Sequence, residues 1–513
     1  MIDGAENVPA AGGSSRRLWL GVFAAAAALY LLTAQRGPSW QDSGVFQWRI
    51  HTFDLTGWLG LALAHPVVML LGRAAAAVPV GTEAWRLNAL SGLAAAVAAA
   101  NLALLVRRLA PKVPVAAWFA AGAFALAHTV WWLATITESH AVLAAIVSGE
   151  LLALTSLLRR PRPSMVLLLG LLNGVALATH NLALLALPAY GLAVLVPAVR
   201  GRLKWWAVPA FIAAWAVGAS PLLVLVGREA ARSGLAEAVR SALFGASWRG
   251  EVLGSGLSRV PRGLAYVAYN LPNLTVPLAA VGLWRLRRRV GRAAAGAIAY
   301  ILAAHLLFAV RYGVTDQFMF FVPFYLLASL AAGLGLAELA ARRRWLGAAA
   351  CLSLALGPAA YAAAPRIVRA MDVSLPGTRR TLPYRDHARY WLTPWKHDED
   401  SAERFAAAAI DQLRRHGGRV VLVADNTAAP PLLWAARARG PGPDELRIVG
   451  GRPRPEDKPI RDGPAEAVLA ELAAGGWSVW VVSNVRGYCP APLLPYVDPE
   501  PTGVLYRVRP PRP

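Results

Sequence analysis

Residues 318–344 read FMFFVPFYLLASLAAGLGLAELAARRR, an apolar run carrying one charge, Glu338, and closed by Arg342-Arg343-Arg344. A hydrocarbon layer about 30 Å thick is crossed by about 20 mostly apolar helical residues. Lys and Arg gather at the cytoplasmic ends of such spans. The stretch therefore predicts a transmembrane helix with its C-terminal end inside. The same reading, carried outward, finds about eleven spans, near 18–34, 85–105, 114–135, 139–157, 164–179, 182–198, 205–226, 263–284, 293–310, 318–340 and 345–363. Composition agrees. Of 513 residues, 57% are hydrophobic and 16% charged, and 19 are Trp, a residue favoured at membrane interfaces. The mean hydropathy is +0.44. Disordered, collagen-like and disulfide-scaffold classes are excluded.

The formal net charge of +23 does not indicate a nucleic-acid partner, because most Lys and Arg sit in short clusters between apolar runs. The stretch 57–80 is apolar but interrupted by His65-Pro66 and Arg73. If it lies at the interface, the clusters at Arg16-Arg17, Arg107-Arg108, Arg159-Arg160, Arg200-Arg202, Arg285–Arg289 and Arg342–Arg344 share one side. If it crosses, Arg16-Arg17 lands opposite the rest. The positive-inside rule favours an interfacial helix, a cytoplasmic N-terminus and an outer C-terminal tail. No clear small-x-small cleavage site follows the first apolar run, so it reads as a retained span. Cys351 lies in an apolar run and Cys489 in the tail, which predicts no mutual bridge and offers no metal spacing.

Near Ala364 the chain changes character. A polar helix over 401–415 precedes a β-rich run over 420–425, helix 429–438, strand 445–449, helix 463–474, strand 478–483 and a last strand 503–508. Strands alternating with helices predict a small α/β domain. Pro453 and Pro455 after Gly450-Gly451 argue against a phosphate-cradling turn. The tail reads as a prop for the site or a partner-binding unit. The predicted organisation is a cytoplasmic tail (1–17), a membrane domain (18–363, with its first outer loop at 35–84) and an extracytoplasmic α/β domain (364–513). Ala- and Arg-rich usage suggests a high-GC bacterium, which places the chain in the inner membrane.

That topology collects polar residues on the outer face. Asp42, His65, Glu138, His180-Asn181, Arg311 and Asp316 all fall at span ends or in outer loops. Ionisable groups at membrane depth are costly and usually functional. Each also has a structural explanation. Asp42 could cap a helix starting at Ser43, and Glu138 could answer a helix dipole. His180-Asn181 could be a hydrated turn, and Asp316 could pair with Arg311. Together they suit glycosyl transfer: a carboxylate takes the proton of an acceptor hydroxyl, while Arg and His neutralise a phosphate leaving group.

Several motifs resemble those of the bacterial protein O-mannosyltransferase-like family of GT-C membrane glycosyltransferases. They are Asp42-Ser43-Gly44, Ala64-His65-Pro66 with Leu70-Leu71-Gly72, Trp85-Arg86-Leu87-Asn88-Ala89-Leu90-Ser91, Glu138, Gly174 through Asn181, and Asp316 with Phe318 to Pro323. The similarity covers most of 38–340. Val45 stands where the family usually has Glu, Val67-Val68 replaces Pro-Gly, and Thr179-His180-Asn181 alters the family's Asn-His order. The resemblance implies a GT-C-like helical membrane fold and a polyprenyl-phosphate sugar donor. It implies a hydroxyl acceptor on protein or glycan. Asp42 would be the catalytic base, with His65, Glu138, His180, Asn181 and Asp316 around the substrates. Some such enzymes use a divalent cation. No dedicated metal cage is visible here, so a cation would be an added assumption. A transporter, a lipid-linked-sugar flippase and a non-catalytic scaffold are the competing classes. A transporter should carry charges or broken helices at mid-membrane, whereas the span middles here are Ala/Leu/Val-rich and nearly charge-free.

The topology is testable with single cysteines in a chain lacking Cys351 and Cys489. A membrane-impermeant thiol reagent should label sites in 365–400 from outside, and sites in 285–292 only after permeabilisation. Labelling of the tail only after permeabilisation would overturn the orientation.

Overall fold

The computed structural model describes residues 12–246, 248–254, 257–373, 382–439, 445–450, 457, 460 and 463–509. Gly451, Pro453 and Pro455 lie outside them, as does most of the N-terminal tail. Among the described residues, seven helices are each long and apolar enough to cross a membrane: Gly13–Thr33, Glu83–Leu109, Ser139–Arg159, Ala207–Ser233, Arg292–Arg311, Gln317–Ala340 and Trp345–Ala370. Shorter apolar helices, Pro163–Thr179 and Leu187–Val199, pack among them. The molecule is a multi-pass helical membrane protein. Helix Pro66–Ala76 has 11 residues, or about 16 Å at 1.5 Å per residue, too short to cross about 30 Å of hydrocarbon. Pro66 starts it, at a position that needs no amide hydrogen.

Two windows read as single spans are broken. In 114–135, helices Pro114–Ala125 and His128–Ala134 meet at 69°. Side chains from elsewhere satisfy the ends this leaves open. The Thr129 amide donates to Asn270 Oδ1 (2.7 Å), and Tyr361 donates to the Leu126 carbonyl (3.1 Å). In 263–284, helix Val260–Asn270 stops before Pro272, and helix Thr275–Val290 begins beyond it. Proline lacks the donor and disfavours helix in the residue before it. The window 182–198 likewise opens with a 3-10 turn, Asn181–Leu185, before helix Leu187–Val199. Hydropathy averages over such breaks, which is why the windows missed them.

Small residues set the closest helix contacts. A Cβ on Gly174 would collide with the Trp215 carbonyl, and one on Gly282 with the Ala331 carbonyl. Backbones this close gain dispersion and weak polar contacts that apolar lipid cannot supply. One carboxyl lies deep in a span. Glu150, fully buried, accepts from Asn173 Nδ2 (3.1 Å) and Tyr190 Oη (2.8 Å). Asn173 in turn accepts from the Trp215 indole (3.2 Å), so the network joins four helices.

Beyond residue 382 lies a four-stranded sheet of order β2-β1-β3-β4, with β1 Arg419–Val423, β2 Glu445–Val449, β3 Trp477–Val481 and β4 Tyr506–Val508. β1 pairs in parallel with β2 and β3, whereas β4 is antiparallel. Helices Ser401–His416, Ala429–Ala438 and Ala465–Ala474 complete the unit. The position chosen as a boundary, 364, falls inside helix Leu356–Ala370. The segment between that helix and the sheet is pinned to the membrane domain. The Lys396 amide donates to the Thr33 carbonyl (2.7 Å), and its buried ammonium to the carbonyls of Tyr390 and Thr393. Burial pulls the Lys396 amine down to about 7.

Glu150→Ala should lower the thermal midpoint of the detergent-solubilised protein, because Asn173 and Tyr190 then lose a buried acceptor, at about 1–3 kcal/mol. Glu150→Gln should fall between, since it keeps one acceptor oxygen. An unchanged midpoint for the Ala variant would show that the network contributes nothing.

Candidate functional site

A cavity of about 370 Å³ opens where the ends of several helices meet. Helix Gln41–Thr52 supplies its first wall. Asp42 lies in the first turn of that helix rather than at its N-cap, which is Trp40, so it is not the cap its sequence position allowed. Glu138 stands at the N-cap of helix Ser139–Arg159 without capping it. Its Oε1 instead accepts from Ser43 Oγ (3.2 Å), and its amide donates to Ser91 Oγ (3.0 Å). Asp316 precedes the turn Gln317–Phe321. All three carboxyls line the cavity.

A buried amide network sets this geometry. Asn88 Oδ1 accepts from Gln47 Nε2 (2.9 Å) and Thr137 Oγ1 (2.7 Å), while its Nδ2 donates to the Gln35 carbonyl (2.8 Å). Asn88 and Gln47 are fully buried. Helix Gln41–Thr52, the loop before it and the Glu138 segment are thereby held to helix Glu83–Leu109.

Three imidazoles, tilted against one another, line the same cavity. His65 and His180 have ring centroids 5.2 Å apart, and His140 and His180 are at 4.8 Å. His65 donates through Nδ1 to the Thr179 carbonyl (2.7 Å), and His180 Nδ1 accepts the Leu182 amide (3.1 Å). Burial holds His65 down at about 3, and with the neighbouring imidazoles it lowers His180 as well. Both rings are therefore neutral at physiological pH. His140 is buried, with Nδ1 3.8 Å from Glu138 Oε2, and neither ring nitrogen has a hydrogen-bond partner. Asn181 lines the cavity and donates to the Ala242 carbonyl (2.7 Å), tying down helix Leu235–Phe244.

The Asp42 side chain is exposed, and its carboxyl opens onto the cavity. Desolvation by the surrounding protein first, then the like charges of Asp316 and Glu138, push it up to about 8. Burial also raises Asp316. Among the described residues, no group of three His, Cys, Asp or Glu is placed to hold a metal ion. The carboxyls do not form a fitting cage, and no step is routed through a cation. Most of the remaining wall is apolar, with Leu184, Leu185, Leu243, Phe244, Trp248 and Phe308 in it.

Asp42, His65, Glu138, His180, Asn181 and Asp316 thus meet in one cavity, although they span much of the chain. Arg311 does not line it. Its guanidinium donates to the Gly254 carbonyl (2.7 Å), turned toward the end of helix Arg249–Leu253 rather than toward Asp316. Two cavity residues were not singled out. Buried Arg49 donates to the carbonyls of Asp54, Leu55, Leu63 and Ala64, fixing the loop that delivers His65. His140 carried a signal in its position, two residues after Glu138 at a helix start.

Comparison with solved structures gives the fold. The crystal structure of ArnT from Cupriavidus metallidurans bound to undecaprenyl phosphate is similar, with TM-score 0.58, 16% identity, and coverage of 91% of this chain and 96% of that one. The apo structure of the same protein gives a TM-score of 0.60 at 16% identity, covering 91% and 93%. The chain therefore has the fold of the GT-C membrane glycosyltransferases. Within it, residues 61–202 match the family model described as the protein O-mannosyl-transferase TMEM260 N-terminal domain. A search of curated proteins finds no match.

Because Arg311 meets a backbone carbonyl through one nitrogen, Arg311→Lys should keep that bond and near-normal transfer. If the guanidinium instead gripped a phosphate through its fork, Lys would lose as much activity as Ala.

Proposed function

We propose that the chain is a membrane glycosyltransferase. It moves a sugar, mannose or another hexose, from a polyprenyl-phosphate donor to a hydroxyl of a protein or glycan at the outer face of a bacterial inner membrane. The observation that carries this reading is the convergence of Asp42, Glu138 and Asp316 with three imidazoles on one cavity whose other walls are mostly apolar. A lipid chain suits the apolar walls, and a sugar's hydroxyls suit the carboxyls. The fold and the family match support the same class. About eleven spans with the N-terminus inside put the cavity and the tail outside.

In this mechanism Asp42 accepts the proton of the acceptor hydroxyl. The hydroxyl oxygen bonds to the anomeric carbon from the face opposite the phosphate. The bond from that carbon to the phosphate oxygen breaks, its electron pair leaves with the polyprenyl phosphate, and the configuration inverts. His140, with both nitrogens unpartnered, and His180 offer hydrogen bonds to the sugar or the departing phosphate. Glu138 and Asp316 accept from sugar hydroxyls and keep Asp42 basic. A base whose pKa lies near the working pH combines availability with driving force.

A transporter or flippase would use a charged group at mid-membrane. Glu150 is such a group, but its carboxyl oxygens accept from Asn173 and Tyr190, and it does not line the cavity. Mass spectrometry of extracytoplasmic proteins and lipid-linked glycans, with and without the chain, should reveal a hexose missing from one class.

Asp42→Asn keeps the shape and removes the basicity. It should accumulate normally, retain donor binding and lose transfer by at least about a hundredfold. In the wild type, kcat/KM should rise with pH toward about 8 and fall below it as Asp42 takes up a proton. Full transfer by a well-expressed Asp42→Asn protein would return the chain to the transporter or scaffold classes.

A further inference from the structure

Gln41, immediately before Asp42, has φ +58°, a left-handed conformation that non-glycine residues rarely adopt. Such residues persist only where the surroundings over-determine them, and they cluster at functional sites. The surroundings here come from the C-terminal unit. The Gln41 amide donates to the Thr427 carbonyl (3.2 Å), and its Oε1 accepts from Tyr390 Oη (3.4 Å). Next to it, the buried Trp40 indole donates to Ser401 Oγ (2.8 Å) and packs on Phe405 with centroids 5.3 Å apart. Nearby, a Cβ on Gly44 would collide with the Ser39 carbonyl and stand 3.1 Å from the Pro430 ring of the tail.

The turn that meets Gln41 is itself rigid. Asp425 Oδ1 accepts the Thr427 amide (2.8 Å), and the Asp425 carbonyl accepts the amides of Ala428 (3.1 Å) and Ala429 (2.9 Å). Trp40, Gln41 and Gly44 thus face the tail, Ser43 holds Glu138, and Asp42 faces the cavity.

We infer that the C-terminal α/β unit is a positioning part of the active site: its turn at 425–430 and Ser401 clamp Gln41 and Trp40, and thereby aim the Asp42 carboxyl into the cavity. Gln41 and Trp40 are positioning residues; they act through Asp42. The inference rests on the reading of Asp42 as the base. It makes the tail a component of the enzyme rather than a separate partner-binding module.

The test uses the full-length protein with polyprenyl-phosphate mannose as donor, and separates kcat from KM. Valine is disfavoured at positive φ and glycine is not. Gln41→Val should lower kcat by about ten- to a hundredfold with donor KM unchanged, as a misplaced catalytic group does. Gln41→Gly should restore most of that loss. Ser401→Ala, made on the tail side, should lower kcat about threefold, again at constant KM, as a milder misplacement. Wild-type kcat in Gln41→Val, or equal losses in the Val and Gly variants, would overturn the clamp. If Gln41→Val does not accumulate, unchanged kcat in Ser401→Ala overturns it instead. Asp42→Asn separates the two ideas. Retained transfer there removes the base itself, whereas an inactive Asp42→Asn beside a fully active Gln41→Val removes only the clamp.

Discussion

The Asn88 side chain commits both ends of its amide to three segments of the chain. Its oxygen accepts from Gln47 and Thr137, and its nitrogen donates to the Gln35 carbonyl. In a dry interior an unsatisfied amide is costly, so this arrangement tolerates little drift. It fixes helix Gln41–Thr52 against the start of helix Ser139–Arg159, and hence Asp42 relative to Glu138. The cavity is a consequence of that register. Its carboxyls can be brought together only because the groups behind them are already satisfied.

The elements legible in the sequence are those whose signal is local. Apolar runs closed by arginines marked the spans, and alternation of strands with helices marked the tail down to β1, β2 and β3. The breaks were not legible by hydropathy, because Leu126-Ala127 and Leu271-Pro272 remain apolar through the kink. Pro272 was the available clue for the second, while the first depends on Asn270, which is remote in sequence. Glu150 qualifies the view of uncharged span middles, since one carboxyl sits there behind a complete set of donors.

Six of the seven candidate site residues line one cavity because helix ends on one face collect polar side chains that the hydrocarbon excludes. Arg311 stands apart for a geometric reason. Five positions before Asp316, it ends helix Arg292–Arg311, and its fork reaches the Gly254 carbonyl. The local signal for His140 is no more than its place two residues after Glu138 at a helix start. Its lack of hydrogen-bond partners exists only in three dimensions. The docking of the tail on Trp40 was illegible for the same reason, since its partner Ser401 is 361 residues away.

The Glu150 network also bears on how the chain is made. Helix Ser139–Arg159 reaches the membrane before its carboxyl has any partner, because Asn173 follows 23 residues later and Tyr190 follows 40. An unpaired acidic group at a helix centre opposes insertion by about 2.5–3.5 kcal/mol. At about 5–20 residues per second, synthesis of those 40 residues takes roughly 2–8 s. For that interval the helix must wait beside the insertion machinery or carry its proton. The residues that later make it rigid thus also set the order in which neighbouring helices can leave for the bilayer.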